Sequence, residues 1–203
     1  MKINLMGRNS KKSQIVETAE NLFMQFGMKR VTIKEICQKA EVSKMTFYNH
    51  FANKNDLIKY IFNKWLDEGY EWLEELEAED ITFREEIRRI LEYKKSYTSR
   101  MSPRFIEEYL EDEPEMQDFY QEYRQRGTES FIKWIERCKE RGKVRKSIKP
   151  EFLVHVLNMS MNIMQDSSLR DKYNSISDLV EEFFDFMFYG IVPFDKRKKD
   201  DRK

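Results

Sequence analysis

The chain of 203 residues has 36% charged residues, six glycines, four prolines and a mean hydropathy of −0.80. That balance speaks against a membrane-embedded chain and predicts a soluble, mostly helical protein with room for a small domain and a larger one. Its zero net charge is uneven: residues 1–60 hold eleven basic against five acidic side chains, 61–195 hold twenty against thirty, and 196–203 hold six against two.

Cys37 and Cys138 form neither a disulfide framework nor a metal-ligand spacing, and each falls on a helical apolar stripe where a buried thiol is the default. No apolar run approaches the length of a membrane span, and Met1 to Ser13 lacks the apolar middle of a secretory signal. The cytoplasm is the expected compartment, with no membrane partner, no metal and no cofactor. A helical enzyme finds nothing to assemble: no Gly-rich phosphate loop, no paired histidines and no nucleophile with a partner.

In chain order, Arg8, Lys11 and Lys12 form a basic arm, for which two readings stand: contact with phosphates or a minor groove, or a solvated arm. Ile15, Ala19, Leu22, Phe23 and Phe26 then repeat at helical spacing, with Gly27 as the C-cap. Thr32-Ile33-Lys34-Glu35 fits a capping box, and Ile33, Ile36 and Cys37 make one apolar stripe. Ser43 opens a second short helix, with Val42 and Phe47 at the positions of a hydrophobic staple. Phe47 and Phe51 face the core, and Lys44, Met45, Thr46, Tyr48 and Asn49 point outward.

The two capped starts read as a helix-turn-helix that binds duplex DNA. A helix N-terminus attracts anions, and Ser43, Lys44, Thr46, Tyr48 and His50 add donors around it. Direct base readout is assigned to Lys44, Met45 and Thr46, while Asn49 suits adenine or phosphate.

Asn53 caps a third start, placing Lys54 beside the expected phosphates and an apolar face at Leu57, Ile58, Ile61, Phe62, Trp65 and Leu66. The acidic run Glu74 to Asp80 reads as a solvated face. Thr82 to Glu85 is another capping box, Pro103 and Pro114 bracket a short helix at Arg104–Leu110, and a long helix follows from Glu115 to about Arg141, stopped at Gly142. Glu107, Glu108, Glu111 and Glu113 read as surface acids. The last two helices, about Pro150–Asp166 and Ile176–Ile191, each have a broad apolar face, and Asp195 to Lys203 is expected to be disordered.

Large soft side chains crowd the body. Phe62, Trp65, Tyr93, Tyr97, Met101, Phe105, Tyr109, Phe119, Tyr123, Trp134, Met161 and Met164 fit either an ordinary core or the lining of a cavity for an apolar or aromatic molecule.

The stretch from Thr32 through Ile36, Ala40, Val42, Ser43, Thr46, Tyr48, His50, Phe51, Lys54 and Leu57 resembles the DNA-binding domain of the TetR family of bacterial transcriptional regulators. Two positions depart: Cys37 stands where alanine is common, and Glu41 where glycine is common in the turn. If Glu41 takes a left-handed conformation, the strain is about 1–2 kcal/mol.

The resemblance implies an all-α fold: an N-terminal three-helix head (1–56), a C-terminal helical bundle for ligand binding and dimerisation (57–194) and a basic tail (195–203). It assigns DNA contact to Thr32, Ser43, Lys44, Met45, Thr46, Tyr48, Asn49, His50 and Lys54, a small-molecule pocket to the aromatic set, and a lever role to the helix that starts at Lys54. The final helices would form a homodimer interface through Phe152, His155, Val156, Met159, Leu179, Phe183, Phe184 and Met187. The implied function is a ligand-responsive regulator, most naturally a repressor, on a near-palindromic operator. The alternative is a coactivator or adaptor that has lost or changed operator binding.

Overall fold

Ser10 opens the first helix, α1 (Lys11–Phe26), by accepting the Ser13 N–H on its hydroxyl at 3.1 Å. The computed structural model describes residues 10–110, 114–174 and 176–189; Arg8, Glu111, Glu113 and the tail from Asp195 lie outside them. The two lysines of the expected arm therefore form the first turn of α1. Lys12 Nζ sits 3.9 Å from the centre of the Tyr60 ring, a cation–π contact.

Helix α2 (Ile33–Lys39) follows the full capping box: the Glu35 N–H donates to Thr32 Oγ1, and the Thr32 N–H donates back to Glu35 Oε2 at 2.9 Å. Those bonds hold the Glu35 carboxyl below the ordinary carboxylate range. Helix α3 (Lys44–Tyr48) is capped by Ser43, which accepts the Thr46 N–H at 3.0 Å. Between them Glu41 does take a left-handed conformation, with φ of 52°.

Asn53 caps α4 (Lys54–Glu77) through the Asp56 N–H, and Thr82 caps α5 (Phe83–Thr98) through the Glu85 N–H. The Glu85 carboxylate bonds Arg88 and Arg89, which bring its pKa down to about 2. The chain continues as α6 (Pro103–Leu110), α7 (Gln117–Glu140), α8 (Pro150–Gln165), the unanticipated short α9 (Ser167–Arg170) and α10 (Ile176–Tyr189). All regular structure among the described residues is helical, and none of these helices is long and apolar enough to cross a membrane.

The helices form two compact units that do not follow chain order: residues 1–71 with 99–124, and 72–98 with 125–203. In the first, Ile15, Ala19, Phe23, Ile36, Phe47, Leu57 and Ile61 make one buried core with Phe62, Phe105, Met116 and Tyr120. Residues 57–71 and 99–124, assigned from sequence to the regulatory part, thus pack with the head.

In the second unit, Phe83, Ile87, Trp134, Ile135, Cys138, Val144, Leu153, Phe184 and Met187 share a core. Two carboxylates, Glu86 and Glu77, are held there by cationic partners. Glu86 is fully buried, bonding Lys143 Nζ at 2.6 Å and Trp134 Nε1 at 3.2 Å. Glu77, in the run read as a solvated face, pairs with Arg137 and Arg141 at 2.9 Å each. A carboxylate taken out of water needs such partners to replace the hydration it loses. Burial, reinforced by the Glu86 carboxylate, pushes the Cys138 thiol up to about 12, so it is a core group and not a nucleophile at neutral pH.

Candidate nucleic-acid interface

Phe47 and Phe51 turn one face of α3 into the core, with ring centres 5.9 Å apart. The opposite face is open: Met45 is 76% and Tyr48 54% exposed, and Ser43, Lys44, Asn49 and His50 are also exposed. Thr46 is half-buried, its hydroxyl 2.9 Å from that of Ser43. Thr32 is exposed, but its hydroxyl already bonds the Glu35 carboxylate at 2.9 Å. An exposed cation, a thioether, a phenol, an amide and an imidazole thus lie on or just beyond one short helix, whose orientation is fixed by the Ser43 cap and the two buried phenylalanines. With only five residues, α3 has little macrodipole, so these side chains are its means of contact.

Lys54 differs from the sequence expectation. Its ammonium donates to the carbonyl oxygens of Met28 at 2.8 Å, Val31 at 3.1 Å and Lys29 at 3.2 Å. Three N–H donors meet three acceptors. Lys54 therefore ties the start of α4 to the α1–α2 turn.

The same turn is held from α6. Glu108, read from sequence as a surface acid, is buried and accepts the Lys29 N–H at 2.9 Å and Arg104 Nε at 3.0 Å. Ser102 adds a backbone bond from its N–H to the Met24 carbonyl at 2.8 Å. Gly27 makes this approach feasible: its φ is 85° and ψ 158°, and a Cβ there would lie 2.7 Å from Arg104 Cγ and within 3 Å of both Glu108 oxygens. No local signal marks these braces, since Glu108 and Lys29 are 79 residues apart.

The aromatic set divides between the units. Phe62, Trp65, Met101, Phe105, Tyr109, Phe119 and Tyr123 cluster in the first, with Phe62 in ring contact with five of the others. In the second unit, Tyr93 stacks on Trp72 at 4.2 Å and touches Tyr97, and Trp134 stacks on Phe83. The side chains of Met161 and Met164 lie outside the described ones.

The expected dimer residues also divide. Leu179, Phe184 and Met187 are buried within the single chain, while Val156 and Phe183 are half-buried. Phe152 is 61% and Met159 53% exposed; with exposed His155 and Ile163 they form a stripe along α8, and Phe186 on α10 is 81% exposed.

Residues 15–61 match the family model described as bacterial regulatory proteins, tetR family. The uncharacterized HTH-type transcriptional regulator YhgD of Bacillus subtilis (strain 168) is 34% identical over 91 residues, 43% of this chain and 48% of that protein. The chain thus spans about half the length of this curated relative. The HTH-type transcriptional repressor DhaR of Mycobacterium sp. (strain GP1) is 22% identical over 194 residues, 93% of this chain and 96% of that one. Among solved structures, a transcriptional regulator from Saccharomonospora viridis in complex with choline superimposes with a TM-score of 0.68 at 19% identity, covering 90% of this chain and 98% of that one.

Proposed function

We propose that the chain, whose residues 15–61 match the family model of the tetR bacterial regulatory proteins, is a ligand-responsive transcriptional repressor. It binds a near-palindromic operator as a homodimer and is released by a small molecule. The observation that carries this reading is the open face of α3, where Lys44, Met45, Tyr48, Asn49 and His50 stand clear of the core on a rigidly capped helix. Lys44, Met45 and Thr46 read bases; Thr32, Ser43, Tyr48 and His50 serve the phosphates, and Asn49 either. Functionally, residues 1–56 read DNA, 57–194 regulate and dimerise, and 195–203 form a basic tail, all in the cytoplasm.

A twofold reader needs a second copy. The exposed stripe of Phe152, Met159 and Ile163, with Phe186, supports α8 and α10 as the surface that a copy covers. The relative described as a repressor supports repression, and the structural neighbour bound to choline supports a small-molecule effector.

Selection of bound fragments from a random duplex pool tests the proposal. The expected product is an inverted repeat with half-site centres about 34–36 Å apart, one turn of B-DNA. Lys44→Ala and Met45→Ala should alter which bases are enriched. A folded wild-type chain that ignores every duplex at low salt, with no small molecule present, would overturn the reading.

A further inference from the structure

The first unit contains a buried polar group with no partner. The indole N–H of Trp65 is shut off from solvent and meets no acceptor. It stands among rings: Trp65 lies 5.2 Å from Phe62 and 6.1 Å edge-on to Phe105, centre to centre, and Phe62 lies 5.2 Å from Tyr123. A donor left unsatisfied in apolar surroundings costs free energy, and an acceptor from another molecule would relieve that cost.

Gly69 supplies the second observation. It lies one turn further along the same face of α4, in a helix interior where glycine is disfavoured. The residue is only half-exposed, yet a Cβ added there would meet no atom within 4 Å. That side of α4 is therefore open at Gly69. Of the neighbouring charges on α4, Lys64 is engaged with Glu20 at 3.2 Å and with Glu68 at 3.6 Å.

We propose that Trp65 and Gly69 define the effector subsite, which takes a neutral, planar aromatic molecule bearing a carbonyl-type acceptor. The ring of the ligand lies against Phe62 and Phe105, its acceptor takes the Trp65 N–H, and its body extends past Gly69. This assignment rests on the ligand-responsive reading and adds to it the chemical class of the effector.

Calorimetric titration of the full chain with two probes of near-identical shape tests it. 2-Acetylnaphthalene carries the acceptor, and 2-isopropenylnaphthalene replaces its carbonyl oxygen with a methylene. The wild type should bind the ketone about tenfold more tightly, the worth of one hydrogen bond in a dry site. Trp65→Phe, which keeps a ring and removes the donor, should make the two affinities equal. Gly69→Leu, which should keep the helix, checked by circular dichroism, should weaken both probes alike. Equal affinities in the wild type, a preference that survives Trp65→Phe, or binding of neither probe would overturn the subsite. The ligand-responsive reading fails separately, if no molecule in a screen releases wild-type chain from its selected duplex.

Discussion

Replacing Lys54 with methionine separates a structural role from an electrostatic one. The ammonium makes three bonds to carbonyls, at 2.8, 3.1 and 3.2 Å. Hydrogen bonds from charged donors contribute about 1.5–3 kcal/mol each, but these three share one cation, and the freed carbonyls regain some water. The expected loss is therefore about 2–4 kcal/mol, which for a chain of this size lowers the melting temperature by roughly 5–15 °C. Urea and thermal melts read that loss. Duplex binding, measured by fluorescence anisotropy between 50 and 200 mM salt where the protein stays folded, should keep the wild-type slope of log K against log salt. A phosphate contact would contribute about 0.9 to that slope. An unchanged melt together with a slope shallower by about one would refute the structural assignment and restore Lys54 to the phosphates.

Three further outcomes are expected. Gly27→Ala should destabilise the first unit by about 3 kcal/mol in urea melts, because the backbone sits in a region nearly exclusive to glycine and the new methyl meets Glu108 and Arg104. Glu41→Gly should remove about 1–2 kcal/mol of left-handed strain, partly offset by greater freedom of the unfolded chain, for a net gain of up to about 1 kcal/mol and a slightly higher melting temperature. The lowered pKa of Glu35 makes its contribution to stability present above the unfolded carboxylate value of about 4.3 and lost as pH falls through the folded value. Urea midpoints taken from pH 6 to pH 3 should accordingly decline less steeply in Glu35→Gln than in the wild type; parallel declines would exclude that contribution.

Short-range chemistry was legible in the sequence. Thr32, Ser43, Asn53 and Thr82 cap the expected helices, Gly27 and Gly142 end theirs with positive φ, and Phe47 and Phe51 are core residues. Each signal lies within four residues of its effect. The braces were not legible because their partners are remote: Lys54 reaches back 23 to 26 residues, Glu86 pairs across 57 and Glu77 across 60. A charged residue on a helix reads as solvent-facing until its counter-charge is located in space. The aromatic set was ambiguous for a related reason, since helical spacing gives a residue's face but not the rings that face will meet. The same limit applies to α10, where Phe184 and Met187 turn into their own core and Phe186 turns outward.

The bonds from α6 to the α1–α2 turn also bear on how the protein is made. The core around Phe23 and Phe47 includes Phe105, Met116 and Tyr120, so its first sixty residues leave the ribosome with part of their apolar surface uncovered. At ordinary translation speeds the covering segment arrives several seconds later. The α1–α3 segment is therefore a poor candidate for excision as a free-standing module, and a nascent chain stalled before residue 124 would be a substrate for chaperones.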